Sequence, residues 1–208
     1  MGKNIAPAET VRGVNVSGWL GDGWRLFWRA PAVYFLSLMI IGLILLILAK
    51  FPMAIPLAVT PLVLGFYLVI ADQDSGRSFK PERIFGGFAW FLPALAADIL
   101  IKIFTTVGLI FLIIPGLIIS SWYLLTWMFM IDRDLGFWGS MEASRKFALK
   151  DMFGWFMFFV AIIFVNLLGA LCLGVGLLIT VPVSATSIYC AYKDSVGLKS
   201  LGPSPELQ

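Results

Sequence analysis

The residues best suited to chemistry are an acid and a base, Asp98 and Lys102, which lie four positions apart in an otherwise apolar stretch. On a helix, this spacing places both side chains on one face, where they can pair. Charged groups inside a membrane are costly and often mark a path for ions or protons. A lysine stem can also carry its ammonium group to the membrane surface. The pair therefore predicts either a transport pathway or a packing and anchoring contact.

A second group of candidate residues is polar but uncharged. Thr180, Ser184 and Ser187 fall on one face of a predicted helix, and Asn166 lies at a depth similar to that of Thr180 in the preceding apolar segment. Such a stripe can line a pore, although small residues on one face are also the usual surface where membrane helices touch. The possible intramembrane polar site comprises Asp98, Lys102, Asn166, Thr180, Ser184 and Ser187.

Catalysis and cofactor binding have little support in the sequence. The chain contains no histidine, and its two cysteines, Cys172 and Cys190, lie near opposite ends of one predicted helix, without metal-ligand spacing. No nucleotide-binding glycine pattern or G-x-S-x-G motif is present in a suitable context. We therefore predict no catalytic residue, no metal and no cofactor, and expect a non-enzymatic protein.

Three apolar tracts, 30–71, 89–131 and 153–192, are the elements that must position these residues. Apolar residues make up 60% of the chain and charged residues 13%, with a mean hydropathy of +0.95, which excludes an ordinary water-soluble domain. Each tract holds about twice the roughly 20 residues that one bilayer crossing needs. The prediction is an all-α integral membrane fold with six transmembrane helices, arranged as three repeated αα-hairpins, plus interfacial amphipathic helices.

The predicted organisation follows from where the apolar tracts are interrupted. The spans are 31–49, 53–71, 93–113, 116–131, 153–171 and 175–192, which give hairpins 31–71, 93–131 and 153–192. Residues 1–30 form an N-terminal cytoplasmic or interfacial segment, 31–192 the membrane domain and 193–208 a cytoplasmic tail. Thirteen of the fifteen basic residues flank the open ends of the hairpins, so both termini are predicted to be cytoplasmic.

The three hairpins end in similar sequences. Asp74, Asp134 and Asp194 are spaced by 60 residues each time, and Thr60, Ser120 and Thr180 share that period. A fixed period indicates one supersecondary unit stacked on its neighbours. The aspartates suggest a cation site only if the three units converge, and ending a helix at the water boundary explains them as well.

The connection over 136–150 is amphipathic. Phe137, Met141 and Ala148 fall on one side, with Glu142 and Lys146 largely opposite. Such a helix is expected to lie in the headgroup layer. Its candidate lipid contacts are Trp138, Arg145, Lys146 and Lys150, although the segment could simply connect two spans. Residues 17–29 form a weaker second case.

Several short motifs carry a family resemblance. They are IIPG at 113–116, DRDLGFW at 132–138, SRK at 144–146, GVGLLITVP at 174–182 and AYKD at 191–194. Over roughly residues 20–197, the chain resembles bacterial integral membrane proteins similar to the membrane domain attached to some glycerophosphoryl diester phosphodiesterases. The resemblance implies a multi-pass helical domain in the bacterial inner (cytoplasmic) membrane. It does not imply phosphodiesterase activity, because that chemistry belongs to a separate soluble domain.

These observations predict a non-enzymatic inner-membrane protein, a scaffold or accessory that binds lipid or a membrane partner. The alternative is a transporter or channel for a small solute, an ion or a lipid. Membrane lipids are the expected partners, with another membrane protein or a second copy of the chain as further options. Nucleic acid is not expected, because no separate basic domain is present.

Overall fold

The computed structural model describes residues 13–51, 54–172 and 174–199. Residues 1–12 and 200–208 of the predicted terminal segments, and residue 53 at the start of the second predicted span, lie outside the described residues. The helices are α1 (Val16–Arg29), α2 (Pro31–Leu48), α3 (Ala54–Asp74), a 3-10 helix (Pro81–Trp90), α4 (Phe91–Phe111), α5 (Ile113–Trp122), α6 (Thr126–Arg133), α7 (Phe137–Ala148), a 3-10 turn (Leu149–Asp151), α8 (Met152–Leu171) and α9 (Leu177–Ser195).

The described part of the chain is helical and contains no β-strand, which confirms the all-α prediction. Five helical stretches in it are long and apolar enough to cross a bilayer. They are Pro31–Leu48, Ala54–Asp74, Pro81–Phe111, Ile113–Arg133 and Phe137–Leu171. The last of these includes α7, and its apolar part is α8.

The sixth predicted span corresponds to α9, which is helical but is not among the five apolar stretches. Its hydroxyl residues and the Lys193–Asp194 end make it less apolar than the others. Ser184, Thr186 and Ser187 are nevertheless buried against other helices. Much of the polar surface of α9 therefore faces the inside of the protein, and a membrane crossing by α9 stays a prediction.

The outer surfaces of α2, α4 and α8 are strongly apolar. Met39, Leu46, Ile110 and Phe164 are among many large apolar side chains that are exposed there. Apolar patches of this extent are rare on water-soluble monomers and mark contact with lipid or protein. This surface is compatible with a membrane protein, in agreement with the composition.

The centre of the fold is made by the second helix of each predicted hairpin. Leu64 and Leu68 of α3, Met128 of α6, and Tyr189 and Tyr192 of α9 are almost completely buried in one core. In contrast, the window over α2 is only 11% buried, against 67% for that over α3. α2 thus lies on the outside of α3, whereas α4 and α8 each bury one face in the common core.

Glycines allow the helices to cross at short distance. A β-carbon on Gly23 would lie 2.6 Å from the Cα of Ser187, so α1 crosses α9 backbone to backbone. A β-carbon on Gly65 would lie 2.5 Å from the carbonyl carbon of Ile84, so the 3-10 helix crosses α3 in the same way. Small residues are what permits such crossings, because a larger side chain would separate the two backbones.

The span predicted as one helix over 116–131 is interrupted at residues 123–125, between α5 and α6. Ser144 of α7 occupies the break: its hydroxyl donates to the Trp122 carbonyl oxygen at 2.7 Å and accepts from the Leu125 N–H at 3.2 Å. Broken helices occur in membranes where neighbouring groups satisfy the freed backbone. The interruption was not predictable locally, because no proline or glycine stands at the break.

Candidate functional site

The strongest candidate among the predicted residues is a groove beside α7. It has a volume of about 320 Å³. Its lining residues are Phe104 of α4, Tyr123 at the helix break, and Trp138, Met141, Glu142 and Arg145 of α7. We call it the α7 groove. Three aromatic side chains and one ion pair therefore meet where α4, the break and α7 come together.

The position of α7 follows from its amphipathic sequence. Its buried face consists of Ser140, Met141, Ser144 and Ala148. The Ser140 hydroxyl donates to the carbonyl oxygens of Leu135 at 3.1 Å and Gly136 at 3.0 Å, which ties the start of the helix to the chain before it. Trp138 remains exposed on the other side. The predicted helix over 136–150 is thus present as Phe137–Ala148.

One carboxylate in the groove is shared by two cations. Glu142 accepts two hydrogen bonds from the Arg145 guanidinium, at 2.8 and 2.9 Å, and its Oε1 lies 3.3 Å from the Lys146 ammonium nitrogen. The Arg145 hydrogen bonds, supported by Lys146, lower the pKa of the Glu142 carboxyl to about 2. Glu142 is therefore ionised at neutral pH, and the three groups carry one net positive charge.

The remaining predicted lipid contact adds to this positive charge. Lys150 follows α7, and its ammonium nitrogen lies 5.3 Å from the centroid of the Phe147 ring. A cation over an aromatic face is attracted by the electrons of the ring. Trp138, Arg145, Lys146 and Lys150 thus all belong to α7 or the turn after it, as their sequence positions require.

The Asp98–Lys102 pair forms on α4 as its spacing predicts. The Lys102 nitrogen lies 2.6 Å from the Asp98 carboxylate oxygen. The Lys102 side chain is 63% exposed, whereas that of Asp98 is 16% exposed. The lysine therefore points away from the protein core, which is the geometry of a snorkelling side chain.

The uncharged candidates lie instead between α8 and its neighbours. The Asn166 amide nitrogen donates to Ser184 Oγ at 2.7 Å and to the Ile162 carbonyl oxygen at 2.9 Å. Thr180 lies against Gly169, and Ser187 lies against Gly23 of α1. In the polar stripe on α9, Thr180 and Ser184 thus contact α8, whereas Ser187 contacts α1.

The structure separates the predicted polar site into two parts. Within the described ranges, no hydrogen bond or ion pair joins Asp98 or Lys102 to Asn166 or to the α9 stripe. Asn166 Oδ1 and Thr180 Oγ1 are buried there without a hydrogen-bond partner. The same described residues contain no group of three or more side chains that could hold a metal ion.

A second, larger cavity involves residues that sequence reasoning did not select as a site. It has a volume of about 810 Å³ and lies between α1 and the ends of α3 and α9. Six charged residues line it: Asp22, Arg25, Arg29, Asp74, Lys193 and Asp194. We call it the α1 cavity. The 60-residue period singled out Asp74 and Asp194, but nothing local indicated that α1 would lie beside them.

Comparisons with known proteins do not identify a relative of this chain. No family model, no curated protein and no solved structure matches the chain significantly. The resemblance to the membrane domain of glycerophosphoryl diester phosphodiesterases accordingly stays an expectation. The site must therefore be interpreted from its own geometry, which is that of an all-helical chain with five helical stretches apolar enough to span a membrane.

Proposed function

We propose that this chain is a non-enzymatic multi-pass membrane protein, a scaffold or accessory, that binds anionic lipid in the α7 groove. The observation that carries the proposal is the sharing of Glu142 by Arg145 and Lys146 beside an exposed tryptophan. This cluster attracts a lipid phosphate, because it has one more cation than anion. The aromatic walls of the groove suit the glycerol and upper acyl region of the same lipid.

The groups of the groove differ in how freely they can reach a ligand. The Lys146 side chain is 69% exposed and touches only one edge of the Glu142 carboxylate. Arg145 is less exposed and is held in a fixed orientation by its two hydrogen bonds. A basic residue at an anionic membrane surface contributes about 1 kcal/mol. Lys146 can thus adjust its position to reach the lipid phosphate, whereas the Arg145 guanidinium is held in one orientation by Glu142.

The proposed topology is six crossings in three repeated hairpins, with both termini on the cytoplasmic side of a bacterial inner membrane. Two contacts spaced by 60 residues support the repeat. The 3-10 helix meets α3 at Ile84 and Gly65, and α7 meets the break between α5 and α6 at Ser144 and Leu125. In each case, the segment before a hairpin crosses the last helix of the hairpin preceding it.

The contact of α1 with α9 completes the same pattern. α1 precedes the first predicted hairpin, and its Gly23 crosses α9 at Ser187, in the last helix of the third. The three crossings thus link the units in a ring.

The proposed topology can be tested in intact cells. Single cysteines replace Arg77 or Arg145 in a chain without its own cysteines. Labelling of either position by a reagent confined to the outer side would contradict the proposed orientation.

Lipid binding is tested on the full chain in mild detergent by native mass spectrometry. We expect phosphatidylglycerol to be retained in preference to phosphatidylcholine with the same acyl chains. The double variant Arg145→Gln/Lys146→Gln is expected to lose this preference. Lys80→Gln is the matched control, because Lys80 is an exposed cation outside the groove. Equal retention of both lipids by the unchanged protein would contradict the proposal.

Transport is the second candidate, and one observation favours it. The unpartnered Asn166 Oδ1 and Thr180 Oγ1 lie on facing helices, and buried polar atoms without partners are costly in a membrane. Water or a polar solute passing between α8 and α9 would satisfy them. Purified protein in vesicles should then show a flux that Asn166→Leu abolishes. An unchanged leak with the variant would remove this candidate.

A further inference from the structure

The α1 cavity contains equal numbers of positive and negative side chains. Asp22, Asp74 and Asp194 face it together with Arg25, Arg29 and Lys193. Its volume of about 810 Å³ falls within the range of small-ligand sites. None of its lining residues belongs to the α7 groove. Whatever it binds is therefore held independently of the anionic lipid proposed above.

The two arginines of the cavity suit a phosphate. Arg25 and Arg29 lie four positions apart on α1, and their side chains are 74% and 69% exposed. The Arg29 nitrogen lies 4.0 Å from the nearest Asp74 oxygen, which is too long for a hydrogen bond. Each guanidinium has five N–H donors, so most of them remain available to an incoming anion. Two neighbouring guanidinium groups are a favoured arrangement for phosphate.

The carboxylates of the cavity suit an ammonium group. The Asp74 carboxylate is fixed by the Tyr189 hydroxyl at 2.9 Å and by the Lys193 ammonium nitrogen at 2.5 Å. The Asp22 carboxylate pairs with Arg25 and remains partly exposed. A bare phosphate would place its charge close to both carboxylates, which is unfavourable. A zwitterion avoids this repulsion, because its ammonium group can lie at the carboxylates while its phosphate lies at the arginines.

The surroundings of the cavity match the level of lipid headgroups. Trp24 and Trp28 are exposed on α1, and tryptophan is enriched where a protein meets the membrane–water boundary. Trp19 forms part of the cavity wall, where its indole N–H donates to Asp194 at 3.0 Å and its ring stacks on Trp155. The wall of the cavity is thus anchored to Trp155 of α8 and to the end of α9.

We propose that the α1 cavity binds a phosphoethanolamine group, with its phosphate at Arg25 and Arg29 and its ammonium group at Asp22 and Asp74. The group is supplied either by phosphatidylethanolamine in the membrane or as the free zwitterion. Choline lipids fit less well, because a quaternary ammonium cannot donate hydrogen bonds to the carboxylates. Anionic glycerol lipids lack the ammonium group altogether.

The test compares three lipids with identical acyl chains on the full chain in mild detergent, by native mass spectrometry. We expect phosphatidylethanolamine to be retained several-fold more than phosphatidylcholine at this cavity. Arg25→Gln/Arg29→Gln is expected to lower that retention about tenfold, because charge-assisted contacts to the phosphate are lost. Arg25→Lys/Arg29→Lys should restore part of it. Arg145→Gln/Lys146→Gln should leave it unchanged and affect only phosphatidylglycerol, so the two proposed sites can fail separately.

Equilibrium dialysis with free phosphoethanolamine distinguishes the two sources. Displacement of the bound lipid by the free zwitterion means that the headgroup alone is recognised, whereas retention of the lipid alone means that the membrane supplies the ligand. Equal retention of choline and ethanolamine lipids by the unchanged protein would overturn the proposal. Undiminished retention by Arg25→Gln/Arg29→Gln would also overturn it. If that double variant unfolds, phosphatidylethanolamine retention is measured with the single variant Arg25→Gln. Arg25 is highly exposed and contributes little to the core, so this variant is expected to fold.

Discussion

The α7 groove and the α1 cavity are built alike but are charged differently. In both, a short helix packs against longer ones: α7 contacts the break between α5 and α6 at Ser144, and α1 crosses α9 at Gly23. The groove combines aromatic walls with one carboxylate that two cations share, whereas the cavity balances three carboxylates against three cations. The difference indicates that two similarly placed helices can carry surfaces of different charge, which is why we propose a different lipid headgroup for each.

The two short helices also differ in how they are held in place. α7 is fixed by a polar contact, since the Ser144 hydroxyl satisfies both backbone groups at the helix break. α1 is fixed by close packing together with a hydrogen bond: Gly23 lets its backbone touch that of α9 at Ser187, and the Thr186 hydroxyl donates to the Gly23 carbonyl oxygen at 2.8 Å. Removing the hydroxyl of Ser144 and forcing the two backbones apart at Gly23 should therefore have different effects, which can be compared by experiment.

The largest effect is expected from Gly23→Leu. Its side chain would overlap the backbone of Ser187, and overpacking of this kind costs about 3 kcal/mol. We expect a lower melting temperature in detergent and loss of phosphatidylethanolamine retention, with phosphatidylglycerol retention preserved. Gly21→Leu is the matched control, because a β-carbon on Gly21 meets nothing within 4 Å. Equal effects of the two variants would show that the crossing of α1 and α9 does not require a small residue at Gly23.

A smaller effect is expected from Ser144→Ala. The change leaves the Leu125 N–H and the Trp122 carbonyl oxygen without their partner, which costs about 1–3 kcal/mol. Phosphatidylglycerol retention should fall, because Tyr123 of the break lines the groove. The control is Ser37→Ala, a buried serine that only bonds the Val33 carbonyl oxygen within its own helix. If both alanine variants melt alike, Ser144 does not support the break.

The smallest expected effect is a difference in salt dependence between the two sites. Lys146 and Arg145 attract an anionic lipid largely through charge, and salt screens exposed charges. Added salt should therefore weaken phosphatidylglycerol retention more than phosphatidylethanolamine retention, because the balanced cavity has no net charge to screen. Parallel titrations of both lipids measure the difference. If retention of the two lipids fell equally with salt, the two surfaces would not differ in how they bind charged headgroups.

Features that depend on residues close together in the sequence could be predicted. The spacing of Asp98 and Lys102, and of Glu142 and Lys146, predicts pairs that the structure contains at 2.6 and 3.3 Å. The helical nature of the chain and the amphipathic α7 were likewise predictable. In these cases, the partners lie within about one turn of one helix, so a helical backbone alone brings them together.

Long-range contacts were not predictable in the same way. The break between α5 and α6 depends on Ser144, about twenty residues further along the chain. The α1 cavity joins Arg29 to Asp74 and Trp19 to Asp194, whose separations are set by how whole helices cross. A repeat with a 60-residue period suggests which positions are equivalent, but it does not state which units touch.

The amino-acid sequence by itself determined the strongly apolar, helical character of this protein and the amphipathic nature of α7, because both follow from the amounts and local periodicity of apolar residues. Only the tertiary structure decided which charged groups share a surface. That choice rests on the crossings at Gly23, Gly65 and Ser144, where backbone shape and single hydrogen bonds select one packing. Charges on different helices share one surface only after those crossings are formed.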